Sequence, residues 1–122
     1  MCLRFVVTRR GEGSSHRSGV FVPAYDLVRG DTLTPAEYGW LREILTWFEE
    51  HLPLPDRTKL DPGAIFWFKT GANRQIGRIW DLVGLLRDHG YHVELIKAAR
   101  PGRVCYEDDC QVAATPFRDH AF

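Results

Sequence analysis

The chain reads as one small α/β domain of the α+β kind, with a mixed sheet of about five strands carrying three helices. Three observations predict it. The apolar run Ala64-Ile65-Phe66-Trp67-Phe68-Lys69 breaks at Thr70-Gly71 and leads into apolar residues at helical spacing that end at Gly90. Tyr91 to Ile96 is β-rich again, which completes one βαβ unit. Upstream, Thr34-Pro35-Ala36-Glu37 is a helix-start signature. At 122 residues, 44% hydrophobic and 12% aromatic, the chain can build one core over 1–122, and neither half has enough apolar residues for its own.

Leu3 to Thr8 is β-rich with apolar residues on both faces, Leu3, Phe5 and Val7 on one and Val6 on the other, which suits a central strand. Gly11 to Ser18 is a loop by composition. Phe21 to Arg29 fits a short helix, with Pro23 in its first turn and Gly30 as its stop. In the next helix the Thr34 hydroxyl can accept from the Glu37 N–H while the Glu37 carboxylate reaches back, and Pro35 loses nothing at the first position. That helix runs to about Leu52 with Leu41, Ile44, Leu45, Phe48 and Leu52 as its core stripe, and Pro53 and Pro55 stop it. Trp40 and Trp47 widen the stripe beyond one packing face. They either cover a sheet edge or form a partner surface.

Pro53 to Gly63 is a proline-rich connector, long for a compact domain, and reads as an ordered loop or a lid. The helix after Lys69 carries Ile76, Ile79, Trp80, Val83 and Leu86 at helical spacing, with Leu82 and Leu85 on a neighbouring strip. It turns Arg74, Gln75, Arg78 and Asp81 to water. Arg103–Glu107 and Cys110–Ala114 form a hairpin around Asp108-Asp109, and the tail lies over the core through Phe117. The expected element order is β-α-α-β-α-β-β-β. The expected core is Phe5, Val7, Leu41, Leu45, Phe48, Ile65, Trp67, Ile79, Val83, Leu86, Val93, Leu95 and Val112.

Sixteen Lys and Arg balance sixteen Asp and Glu, so total charge gives no drive toward nucleic acid or anionic membranes and little resistance to association. Three cysteines without a CxxC are not a disulfide framework. No secretory signal or membrane span is expected, and the cytoplasm is the default location.

Chemistry is sought at the carboxyl ends of the strands. If Leu3–Thr8, Ile65–Phe68 and Tyr91–Ile96 run parallel, Arg9 and Arg10, Lys69 and Arg74, and Lys97 and Arg100 gather at one sheet edge. The helix start at Thr70, Gly71 and Asn73 lies beside them. Arg103 opens the hairpin from that edge, and the Asp108-Asp109 turn lies opposite. Such an edge would hold a nucleotide or nucleic-acid phosphate. The plain alternative is solvated charge at loop ends, and the Lys69-Thr70-Gly71 spacing is not that of a Walker loop. His89 with His92 lack a third ligand, Glu107 to Asp109 read as turn chemistry, and neither a metal nor a cofactor is expected. Neither Cys105 nor Cys110 has a histidine placed to activate it. His16, with Ser14, Ser15, Arg17 and Glu12, is a mobile-loop candidate for a general base.

Three segments carry a resemblance: Trp47-Phe48 with His51-Leu52-Pro53, Trp67-Phe68-Lys69, and Pro101-Gly102 through Tyr106-Glu107-Asp108, Gln111-Val112-Ala113 and Pro116-Phe117. They resemble a family of small uncharacterised bacterial proteins. The resemblance implies a bacterial, intracellular, stand-alone domain and carries over no functional residues. Cys105 and Cys110 stand where apolar or aromatic residues are expected in relatives, which argues against a redox role. Two functions remain. One is a non-enzymatic cytoplasmic binding or accessory module acting through a protein partner or self-association at Trp40 and Trp47. The other is a phosphate-binding protein or enzyme at the basic edge.

Overall fold

The computed structural model describes residues 1–9 and 18–117. Arg10, the loop candidates Glu12, Ser14, Ser15, His16 and Arg17, and the tail beyond Phe117 lie outside the described residues. The elements follow the expected order: β1 (Cys2–Arg9), α1 (Phe21–Arg29), α2 (Pro35–His51), β2 (Ile65–Lys69), α3 (Asn73–Asp88), β3 (Tyr91–Ala98), β4 (Arg103–Glu107) and β5 (Gln111–Thr115). A 3-10 turn over Arg57–Lys59 breaks the connector.

Local chemistry sets the helix ends. Glu37 N–H donates to Thr34 Oγ1 at 3.1 Å and Thr34 N–H donates to Glu37 Oε1 at 3.0 Å, so the capping box is complete. Gly30 N–H donates to Asp26 O where α1 stops. After α3, Gly90 takes φ 87°, which a side chain would resist.

The sheet order is β3-β1-β2-β5-β4, and each neighbouring pair is antiparallel. β2 and β3 run the same way, as one helical crossover requires, but β1 lies between them and runs opposite. The expectation of three strands pointing together therefore fails. A single helix between two strands turns the chain back once and yields a parallel return. Two helices, α1 and α2, separate β1 from β2, and the second turns the chain back again.

All three helices cover one face. Phe5, Val7 and Val93 of the sheet meet Leu27 of α1, Leu41, Ile44, Leu45 and Phe48 of α2, and Ile79, Val83 and Leu86 of α3. Each fully buried side chain of this size contributes about 1.5–3 kcal/mol of burial. Leu95, expected in the core, is 37% exposed because β3 is an edge strand. Ile65 is half-buried, whereas the remainder of the expected core is buried. Trp80 remains 44% exposed while meeting Phe5 edge-on at 5.0 Å.

A second apolar cluster forms on the opposite face: Cys2, Trp67, Val112 and Ala114, with Ile65, Ile96 and Ala98 against them. Chain length explains it. β3 and β4 are the two outer strands, about 19 Å apart if the sheet were flat. The link from Ala98 to Arg103 can span only about 18 Å, and it must also run down the sheet, because Ala98 is level with Cys2 and Arg103 with Thr115. The sheet must curl toward the face the helices leave, and buried Pro101 sits in the link.

Gly102 fixes the end of that link. Its φ is 147°, and a Cβ there would lie 2.1 Å from Thr115 O and 2.6 Å from Thr115 C, both backbone atoms. Gly102→Ala is expected to cost about 3 kcal/mol or more. Urea denaturation measures it; a loss under about 1 kcal/mol contradicts the close approach.

Candidate functional site

The reversal of β1 divides the cations. Cys2 pairs with Lys69 and Ala98, while Arg9 pairs with Tyr91, so Arg9 stands at the far edge from Lys69. Arg103 pairs with Thr115 and also lies at the far edge. Lys97 stays on the Lys69 side, and Arg100 lies in the link that descends from that level to Arg103. The acidic turn is on that side too, contrary to expectation, because β5 returns antiparallel beside β2 and its hairpin turn meets the end of β2. Lys69 N–H donates to Cys110 O at 2.9 Å, and Lys69 Nζ lies 2.6 Å from Glu107 Oε2. Hydrogen bonding to Glu107 is the main cause of a raised Lys69 pKa, with Asp109 and Asp108 adding to it. The single basic edge is not formed, and Lys69 already has its counter-charge. Thr70 and Gly71 are exposed beyond it.

Asp108 organises the hairpin. Its Oδ1 accepts from the N–H groups of Cys110 at 2.9 Å and Gln111 at 3.0 Å, and from Cys110 Sγ at 3.2 Å. Its Oδ2 accepts from Tyr106 OH at 2.6 Å and Gln111 Nε2 at 3.0 Å. Burial opposes ionisation of this carboxyl, but the donors from Tyr106, Cys110 and Gln111 outweigh it and hold its pKa at about 2. The Tyr106 phenol is driven up to about 12, chiefly by its bond to Asp108. Burial, then Asp108, pushes the Cys110 thiol up to about 11. Cys110 is therefore a protonated thiol at neutral pH and a poor nucleophile. All three cysteines are free.

Gln111 Nε2 also donates to Pro53 O at 2.6 Å, which ties the connector to β5. Beside this tie lies a cavity of about 490 Å³. Its walls are Val20, Phe21 and Val22 entering α1, Leu52 to Leu54 leaving α2, and Phe66 and Phe68 of β2. It exists because the helices lie over β1 and β3, leaving the outer half of β2 and β5 without a helix. Leu54 is 87% exposed, Val22 59% and Phe66 37%, so the rim is apolar as well as the walls. The legible signal was Leu54, an aliphatic residue alone between two prolines in a polar connector.

Neither Trp40 nor Trp47 lines that cavity. Trp40 is 40% exposed on α2. Trp47 is half-buried, stacked on His51 at 4.4 Å and edge-on to Phe48 at 5.1 Å. The Arg74 and Arg78 guanidinium groups lie over its ring at 5.7 and 5.5 Å. At the far end of the helix pair, His89 Nε2 meets Glu37 Oε2 at 2.8 Å. The bond of Glu37 to the Thr34 backbone, with His89 next, lowers the Glu37 pKa.

Among the described residues no group of three or more His, Cys, Asp and Glu side chains is placed to hold a metal ion. No helix among them is long and apolar enough to cross a membrane. No family model, curated protein or solved structure matches the chain.

The Asp108 network has a pH signature. A carboxyl with a folded pKa of about 2 and an unfolded value of about 3.9 stabilises the fold fully above the unfolded value. That contribution is lost as the pH falls through 4 toward 2. Asp108→Ala is expected to lower stability by about 1–2 kcal/mol at pH 7, the group being partly solvated, and to flatten this part of the acid limb. Urea titrations from pH 2 to 7 test it; parallel acid limbs in the two proteins contradict it.

Proposed function

We propose that the protein is a non-catalytic binding module, acting as a cytoplasmic accessory protein, and that its cavity holds an apolar segment of a protein partner. The observation that carries this reading is the cavity with its exposed apolar rim. Its volume of about 490 Å³ would also admit a small molecule. A small molecule filling the walls would leave Leu54 and Val22 in water, however, whereas a protein segment covers wall and rim together. Gln111, the tied polar group at the base, keeps the connector wall in place. The three free thiols fit a reducing compartment. Trp47 is occupied by His51, Arg74 and Arg78, so the cavity supports partner binding better than the tryptophans do.

Peptides carrying one Leu or Phe among polar residues, titrated by NMR, test this. Shifts are expected at Val20, Val22, Leu54, Ile65 and Phe66. Leu54→Asp is expected to weaken binding by about tenfold or more. The melting temperature should not change, because Leu54 is 87% exposed. Shifts that map elsewhere, or full affinity in Leu54→Asp, contradict the reading.

A further inference from the structure

We propose that Arg74 and Arg78 form a binding site for one compact phosphate group, free or carried on a small monoester. The site is on the α2–α3 seam and does not depend on the cavity. Arg74 and Arg78 are one turn apart on α3, where like charges repel. Both guanidinium groups nevertheless converge on one ring, 5.7 and 5.5 Å from the centre of Trp47. Among the described residues neither has a carboxylate within ion-pair distance. The indole compensates part of the repulsion; an oxyanion held by both forks compensates the rest and uses donors that the ring leaves free.

The room for that anion is present. A shallow depression of about 420 Å³ is bounded by Trp47, Asn73, Arg74, Gly77, Arg78 and Asp81. Gly77 lies between the arginines in sequence and gives the depression a floor without a side chain; a Cβ there meets nothing within 4 Å. Glycine weakens a helix interior, so packing does not account for it at this position. Asn73, exposed in the first turn of α3, adds an amide at the rim.

The surroundings select the size of the ligand. Asp81 borders the depression, and Glu43 and Glu50 flank Arg78 on the α2 side, with Arg42 among them. A polyanion running past the two arginines would meet all three carboxylates, whereas a single phosphate group in the depression has only Asp81 beside it. His51 stacks on Trp47 with only 10° between the planes, so that indole face is closed to a nucleobase. A compact phosphate fits better than a nucleic acid.

The test is NMR of the arginine side-chain Nε–H groups during titration with inorganic phosphate, against chloride at equal ionic strength, with a phosphoserine arm and an oligodeoxythymidine arm. Arg74 and Arg78 are expected to shift together and saturate with phosphate, phosphoserine or both; which arm is tighter identifies free anion or monoester. Arg78→Gln is expected to weaken binding by about tenfold or more. Gly77→Leu should do the same by filling the floor while raising the melting temperature, which separates lost binding from lost folding. Gly84→Ala, on the same helix and outside the depression, should also raise the melting temperature and leave binding intact. The proposal is overturned by non-saturating shifts, by full affinity in Arg78→Gln or Gly77→Leu, or by oligodeoxythymidine binding more tightly than both small anions.

Discussion

Two helices separate β1 from β2 and one separates β2 from β3, and this count fixes the direction of the central strands. β1 must oppose both neighbours, and α3 must cross over it to return the chain in the direction of β2. The helices consequently share one face, and the end of β1 points away from the ends of β2 and β3. Buried side chains such as Phe5, Val7 and Val93 hold the helices on that face.

The rest of the molecule adapts to that arrangement. The chain leaves β3 at one edge and must start β4 at the other with only residues 99–102 between them. Curling brings the edges within reach and creates the small second core around Trp67, at the cost of a close contact that admits only Gly102. On the helical face the same arrangement leaves β2 and β5 partly uncovered. The connector fills some of that space, held by the Gln111 bond to Pro53, and Asp108 in turn fixes Gln111. The cavity is what the connector does not fill.

Elements governed by neighbours in sequence were legible. The Thr34 box, Gly30 and Gly90 mark helix ends through bonds that close within a few residues, and α1 begins and ends where its composition indicates. Strand direction follows from the same element order, since two helices between β1 and β2 turn the chain back twice, and the expectation of three parallel strands does not take this into account. The basic edge failed for the same reason: Lys69 was drawn toward Arg9, yet β5 brings Glu107 and the acidic turn to it. Arg78 reads as a solvent-facing residue by helical period, and only the packing of α2 against α3 shows that it shares Trp47 with Arg74. Asp108 reads as turn chemistry from the sequence, which is correct at the level of the turn. Its reach to Tyr106 and its hold on Gln111 depend on how β4 and β5 pair.

On the proposed function, the binding surface of this fold is the gap its helices leave over β2, rather than its charged strand ends. Methyl NMR during titration with a small apolar probe such as benzene tests it most directly. Saturable shifts at the inner-wall residues Val20, Leu52 and Ile65, with none at exposed Leu95 on β3, are expected. Uniform weak shifts at exposed apolar residues everywhere, or an unresponsive cavity, would contradict it.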